Sequence, residues 1–357
     1  MAANLLLAGY FGSGNLGDDA MLLGFAHSLG PGFDISVLSG SPEDTYRLHG
    51  YRSIPRRDFK AIGEELKRTD ALVFPGGSIF QDVTSTRSVA YYAQLVKLAK
   101  RAGKKVFLLS QGVGPLNGFF GKRIAVAAFQ AADVVTVRDP GSAATLRDLG
   151  FRGNARVTAD AAFLLQPDHE SDTGSFSVGN MTTVGIAPRP HKDKKATVKL
   201  FAELSQMLFK SNMMPVLIEM DQHEDGPLIL EISKAQGGKI PDLRKLQRPQ
   251  QVMQRMARMD AVIAMRLHAG IFAAAVGVPP FMISYDPKVA AFAKLMELSY
   301  AGVEGLSAQR LFEQFMNFQK DRERNTKIIA RKRDEMANLA RQNIDIVRES
   351  LAVSVRD

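Results

Sequence analysis

Arg266 and His268 stand two positions apart in "AMRLHAGIFAAAVGVPP", where the apolar run "AVIAM" passes directly into small residues that suit a helix. A guanidinium and an imidazole at a helix N-terminus sit beside unpaired backbone amides and the positive end of the helix dipole, an arrangement that suits a phosphate or carboxylate. Two cations at such a place call for an anion. Lys288 follows after the next apolar run, "PPFMIS", in the segment "ISYDPKV". If the two runs are neighbouring parallel strands, all three cations share one rim.

Comparable segments recur after other apolar runs: "PGGS" (75–78), "SQGVGP" (110–115), "VRDPGS" (137–142), "APRPHKD" (187–193) and "EMDQHED" (219–225). Open parallel sheets bind ligands outside the carboxyl ends of their strands, so these segments hold the candidates for function. Arg138 and Arg189 would join Arg266, His268 and Lys288 in a cationic cluster if two such rims faced each other across a cleft. Arg138 also reads as an ordinary residue at the start of a surface helix. Gly76, Gly77, Gln111, Ser284 and Tyr285 occupy the same post-strand positions and are candidate substrate contacts.

The segment "GYFGSGNLGDDA" (9–20) contains the spacing G-x-G-x-x-G in Gly12, Gly14 and Gly17. A dinucleotide fingerprint needs its first glycine directly after the strand and an acid at the end of the second strand. Here Tyr10 and Phe11 intervene, and the second strand ends in "LSGS" with its nearby acid, Asp34, at the wrong end. No Lys-Ser or Lys-Thr pair closes the loop as a P-loop requires. What remains is a glycine-rich strand-to-helix loop with Asp18 and Asp19 in the first helical turn, either as caps or toward a ligand. Tyr10 and Phe11, at the strand's carboxyl end, are the expected substrate contacts. His27, His49 and His169 show no metal-like spacing, and His191 and His223 have acids nearby but no third ligand; no metal site is expected.

These positions presuppose a scaffold. Short apolar runs alternate with amphipathic stretches along the whole chain, the pattern of an α/β protein with parallel sheets covered by helices. Strands are expected at "NLLLAG", "FDISVLS", "ALVFPG", "KVFLLSQ", "DVVTVR" and "ARVTA", and the pattern restarts with "TTVGIA", "MPVLIEM", "AVIAM" and "PPFMIS". Helices are expected over Arg87–Arg101 and Gly141–Leu149, among others. A chain of 357 residues suits two domains. The polar stretch 166–180 is the expected linker, between a domain at 1–165 and one at 181–357 that includes the terminal helix. Lys320 to Asp357 carries ten Lys or Arg and seven Asp or Glu, an amphipathic surface helix that could make a weak contact with a membrane surface.

With 45% apolar and 23% charged residues the composition is globular, and the absence of Cys excludes disulfides and thiolate metal sites. "MAANLLLAGY" lacks the basic start and apolar length of a signal peptide, and the long uncharged stretch 269–285 is broken by Pro279 and Pro280. A cytoplasmic location is expected. The net charge of +9 suggests an anionic partner, but no aromatic residues interleave with the basic ones and Trp is absent, which argues against nucleic acid.

The ordered set "GYFGSGNLGDDA", "PGGSIFQD", "SQGVGP", "VRDPGSAATLRDLG", "MRLHAGIFAAAVGVPPF" and "ISYDPKV" resembles the polysaccharide pyruvyltransferase family, particularly members that pyruvylate a secondary cell-wall polysaccharide for attachment of surface-layer proteins. The resemblance implies two Rossmann-like domains facing across a cleft, a GT-B-like fold with C-terminal helices. It implies transfer from phosphoenolpyruvate to a sugar, such as N-acetylmannosamine of a lipid-linked precursor, with a cyclic ketal formed and phosphate released. It also implies active-site roles for Arg138, His268 and Lys288, with no cofactor beyond the donor. Arg138 and Lys288 would pair with the donor's carboxylate and phosphate, and His268, the imidazole among them, would move protons. One departure is that Asp18-Asp19 stands where the family often has Asp-Glu. Two other readings stay open: a nucleotide-sugar glycosyltransferase or epimerase, with Glu219 or Asp221 on the ribose, and a basic binding module without turnover.

Overall fold

The computed structural model describes residues 2–82, 86–168 and 181–351. Of the expected linker, residues 166–168 are described and the rest, with His169, lies outside the described residues. The chain divides into two compact units, Met1–Leu165 with Met336–Asp357, and Gln166–Glu335.

In the first unit eight strands are described: β1 (Ala3–Leu7), β2 (Phe33–Ser39), β3 (Arg52–Pro55), β4 (Ala71–Phe74), β5 (Gly77–Phe80), β6 (Lys105–Val113), β7 (Val134–Val137) and β8 (Ala155–Val157). They form a wholly parallel sheet in the order β3-β2-β1-β4-β6-β7-β8, with β5 beside the far end of β6. The helices α1 (Leu16–Leu29), α2 (Pro42–His49), α3 (Phe59–Arg68), α4 (Thr86–Arg101), α5 (Phe119–Ala131) and α6 (Pro140–Asp148) connect them. Central strands such as "ALVF" are buried at every position, as expected where helices cover both faces of a parallel sheet. All six strands read from this half of the sequence are present; β3 and β5 are additions, each four residues long.

The second unit holds β9 (Thr182–Ala187), β10 (Met213–Leu217), β11 (Ala261–Ala264), β12 (Pro280–Ser284) and β13 (Tyr300–Gly302), again all parallel, in the order β10-β9-β11-β12-β13. Its helices are α7 (Lys194–Lys210), α8 (Asp225–Ala235), α9 (Pro249–Met256), α10 (Leu267–Ala275), α11 (Pro287–Leu295), α12 (Ala308–Lys320) and the long α13 (Arg322–Ser350). Ala264 pairs with both Ala187 and Met282, so β9, β11 and β12 end almost level and the segments that follow them lie side by side.

The terminal helix departs from the sequence-based division at 181–357. From Met336 onward it groups with the first unit, where Asn343 accepts a hydrogen bond from Thr136 (2.7 Å) and Arg348 donates to the carbonyls of Ser28 and Leu29 (3.1 and 2.8 Å). Ala340, Ile344 and Val347 are buried. An amphipathic pattern specifies that a face is buried, not which sheet buries it. Among the described residues no helix is long and apolar enough to cross a membrane.

Candidate functional site

The carboxyl ends of four consecutive strands in the first sheet, β1, β4, β6 and β7, carry the residues singled out in that half of the chain. After β1, Asn15 caps α1 by accepting from the amides of Gly17 (3.0 Å) and Asp18 (3.3 Å), so neither aspartate is the cap. Gly12 takes φ +61°, which an L side chain rarely adopts, and its amide donates to Asp19 Oδ1 (3.1 Å). Tyr10 is exposed, with the Arg56 guanidinium 4.6 Å above its ring. Phe11 is buried at 1% exposure and packs as part of the core.

Asp19 is buried, and burial pushes its carboxyl up to about 7, with the Gly12 amide pulling the other way and Asp18 adding to the rise. Its Oδ2 lies 4.0 Å from His49 Nε2, also buried, a pairing that histidine spacing in the sequence gave no reason to expect. Between the ordinary carboxyl value and about 7, the folded chain holds a proton that the unfolded chain releases. The group therefore erodes stability as pH rises through that window, by at most about 1.4 kcal/mol per pH unit. Asp19→Asn should flatten the fall in urea-unfolding free energy between pH 5 and pH 7, and an unchanged slope would contradict this.

Arg138 follows β7 and is buried. Its guanidinium donates to Ser78 Oγ (2.8 Å) and Asp160 (3.3 Å) and lies 3.7 Å from Asp139, the cap of α6. The side chain is thus a fixed cation flanked by two carboxylates, not a mobile surface arginine, and these hydrogen bonds leave some of its five N–H groups for another acceptor. Gly112 makes room for it: a Cβ there would lie 2.5 Å from Ser78 Oγ and 2.8 Å from an Arg138 Nη. Gly112→Ala should therefore push the guanidinium aside. We expect kcat/KM to fall at least about tenfold with melting temperature shifted by only a few degrees, since the displaced groups are side-chain ends. Activity matching wild type would mean that the position of Arg138 is immaterial.

The other candidates in this unit divide. Gly76 lies against Met21, and Gly77, at φ +103°, lies close to the Asp18 carboxylate, so "PGGS" folds over the start of α1. Gln111 is fully buried and its amide donates to the carbonyls of Phe74 (3.3 Å) and Leu109 (2.8 Å). It ties β4 to β6.

In the second unit, the segments after β9, β11 and β12 bring the remaining residues to one rim. Arg266 stands at the N-cap position of α10 and is buried, its side chain donating not to the helix but from Nε to both oxygens of Asp225 (3.1 Å each) and from Nη2 to Asp225 Oδ1 (2.6 Å) and Glu224 Oε2 (2.7 Å). Burial works against its charge, but these carboxylates outweigh it and hold the guanidinium pKa above the usual value. The anion that Arg266 needs is therefore supplied by the chain itself. Asp225 is completely buried and also accepts the amides of Met220 and Asp221.

Arg189 donates to the Tyr285 hydroxyl, stacks 4.8 Å over its ring and lies 3.6 Å from Glu224. His191 lies beside the same ring, 5.9 Å between centroids. Ser284 donates to the Asp286 carbonyl (3.1 Å), and Asp286 caps α11 through the Lys288 amide (2.9 Å). His268 and Lys288 hold the same place in successive strand-turn-helix units, the second residue of the helices that follow neighbouring strands β11 and β12. His268 is half-buried, and Lys288 Nζ lies 3.9 Å from Asp286 Oδ2 with its side chain 30% exposed. Glu219 accepts from the Lys245 amide (3.4 Å) and Asp221 from the amides of His223 and Glu224 (3.1 Å each), so both carboxylates serve local backbone. Asp160, just beyond an expected strand, lay outside the segments singled out from the sequence, while Ser78, Glu224 and Asp225 lay inside them without being read as partners of the arginines.

Residues 15–287 match the family described as Polysaccharide pyruvyl transferase. A search of curated proteins gave no match. Among solved structures, the chain is similar to Anabaena Alr3699/HepE in complex with UDP, at 14% identity and TM-score 0.61, with 98% of this chain and 99% of that one covered. It is also similar to S. aureus MnaA with UDP, at 10% identity and TM-score 0.66, covering 99% and 98%. UDP-GlcNAc 2-epimerase from Neisseria meningitidis bound to UDP-GlcNAc aligns at 11% identity and TM-score 0.60, covering 99% and 100%. At these identities the likeness establishes the fold, two Rossmann-like parallel sheets of GT-B-like type with a long C-terminal helix.

Proposed function

Because the chain belongs to the polysaccharide pyruvyl transferase family and is therefore a transferase, we propose that it moves the pyruvyl group of phosphoenolpyruvate onto a sugar as a cyclic ketal. The acceptor in this reading is N-acetylmannosamine of a lipid-linked cell-wall precursor of the kind that anchors surface-layer proteins, met at the inner face of the membrane. The observation that carries the reading beyond family membership is the matched placement of His268 and Lys288 after neighbouring strands, an imidazole and an ammonium on one rim.

In the reaction one sugar hydroxyl attacks C2 of the donor, C3 takes up a proton, a second hydroxyl closes the ring at C2, and the C2–O bond to phosphate breaks. Two hydroxyl protons are given up; one ends on C3 and the other leaves with phosphate. His268 is the residue we assign to proton transfer, because arginine stays protonated and histidine ordinarily titrates near neutrality. Lys288, in the first turn at the positive end of α11, stabilises negative charge on the departing phosphate, where a preorganised cation acts mainly in the transition state. Arg138, held by Ser78 and Asp160, offers remaining N–H groups to the donor carboxylate. Tyr10, exposed beside Arg56, suits a sugar ring.

The direct test incubates the purified chain with phosphoenolpyruvate and a panel of N-acetylmannosamine-containing lipid-linked saccharides. Phosphate release in step with the acceptor's gain of one pyruvyl ketal supports the proposal. Turnover on other saccharides alone would correct the acceptor, and phosphate release without sugar modification would overturn the transfer itself.

A further inference from the structure

Phe119 and Phe120 open α5 with 65% and 73% of their surface exposed, their rings edge to face at 5.7 Å. The next turn carries Lys122 and Arg123, both exposed, with the Arg123 guanidinium 5.5 Å from the Phe119 ring. The first turn of α5 has no acid, although a helix N-terminus favours one. The nearby carboxylate, Asp82, turns both oxygens onto the amides of Asn117 (2.8 Å) and Gly118 (2.7 Å), holding the loop that presents the aromatic pair. This loop leaves the carboxyl end of β6, the neighbour of the strand that carries Arg138.

We propose that the start of α5 is a membrane-docking site for an anionic bilayer. The two rings enter the boundary between headgroups and acyl chains, while Lys122 and Arg123 lie at lipid phosphates. Charge selects this occupant: pairing with a second copy would bring Lys122 and Arg123 of both chains together, whereas the chain's net charge of +9 favours an acidic surface. The terminal helix, the sequence-based candidate for such contact, buries Ile329, Met336, Ile344 and Val347, so its principal apolar side chains are already used. The proposal does not rest on the pyruvyl-transfer reading; vesicle binding and donor turnover can each fail alone.

Flotation of the full chain with vesicles of phosphatidylcholine mixed with phosphatidylglycerol should carry the protein up, and pure phosphatidylcholine should not. Phe119→Ser/Phe120→Ser should lower partitioning at least about tenfold with an unchanged melting temperature. Lys122→Glu/Arg123→Glu should lower it comparably and remove its salt sensitivity. Wild-type protein that stays unbound, a double-Phe variant that binds as wild type does, or light scattering showing a dimer that this variant abolishes would each overturn the proposal.

Discussion

His268→Ala is expected to lower the rate of phosphate release by about two to four orders of magnitude while leaving phosphoenolpyruvate affinity within a few-fold of wild type. The split follows from the roles. The donor is highly charged and its affinity rests on cations, Arg138 and Lys288 in this account, whereas ketal formation requires protons to leave two hydroxyls and one to arrive at carbon. His268 sits half-buried at the second position of α10, held by the backbone that follows β11. Steady-state kcat together with donor binding by calorimetry separates the two effects. Normal turnover in the variant would remove His268 from the chemistry, and lost affinity with unchanged kcat would make it a binding residue.

Arg266→Ala is expected to act on stability first, lowering the free energy of unfolding by about 3–5 kcal/mol, because it strands a buried carboxylate. Asp225 has no exposed surface and receives three of the four hydrogen bonds described from Arg266 to carboxylates. The two backbone amides that also bind Asp225 cannot replace a positive charge. Adding Asp225→Asn should recover part of the loss, since the neutral amide still accepts from the backbone and no longer needs a counter-ion. Urea unfolding of the single and double variants reads this out. A loss below about 1 kcal/mol with abolished donor binding would instead return Arg266 to the ligand, as its sequence neighbourhood suggests.

The contrast between His268 and Arg266 shows where sequence reading stops. Both positions were legible because an apolar run followed by small helix formers marks a strand-to-helix turn, and parallel sheets put their ligands there. That Arg266 is already engaged by carboxylates was not legible, because Asp225 lies 41 positions earlier and only the fold brings it to Arg266. Phe11 and Gln111 illustrate a related limit. Each follows or ends a strand, as a substrate contact would, but burial turns the Phe11 ring into the core and spends the Gln111 amide on strand carbonyls.

At the level of the fold, the ten strands read from apolar runs are all present, since buried parallel strands advertise themselves as such runs. β3, β5 and β13 were missed because "RSIP", "GSIF" and "YAG" are too short or too polar to stand out. The terminal helix was recognised as amphipathic, yet its grouping from Met336 with the first unit depends on contacts such as Thr136 with Asn343 that no local pattern encodes.

The central claim is that the donor is phosphoenolpyruvate, although the fold is shared with structures holding UDP or UDP-GlcNAc. Titration calorimetry of the full chain against phosphoenolpyruvate and, separately, against UDP-GlcNAc tests it most directly. The account predicts saturable binding of phosphoenolpyruvate that weakens in Arg138→Ala and Lys288→Ala, and none of the nucleotide sugar. Binding of UDP-GlcNAc with none of phosphoenolpyruvate would contradict it.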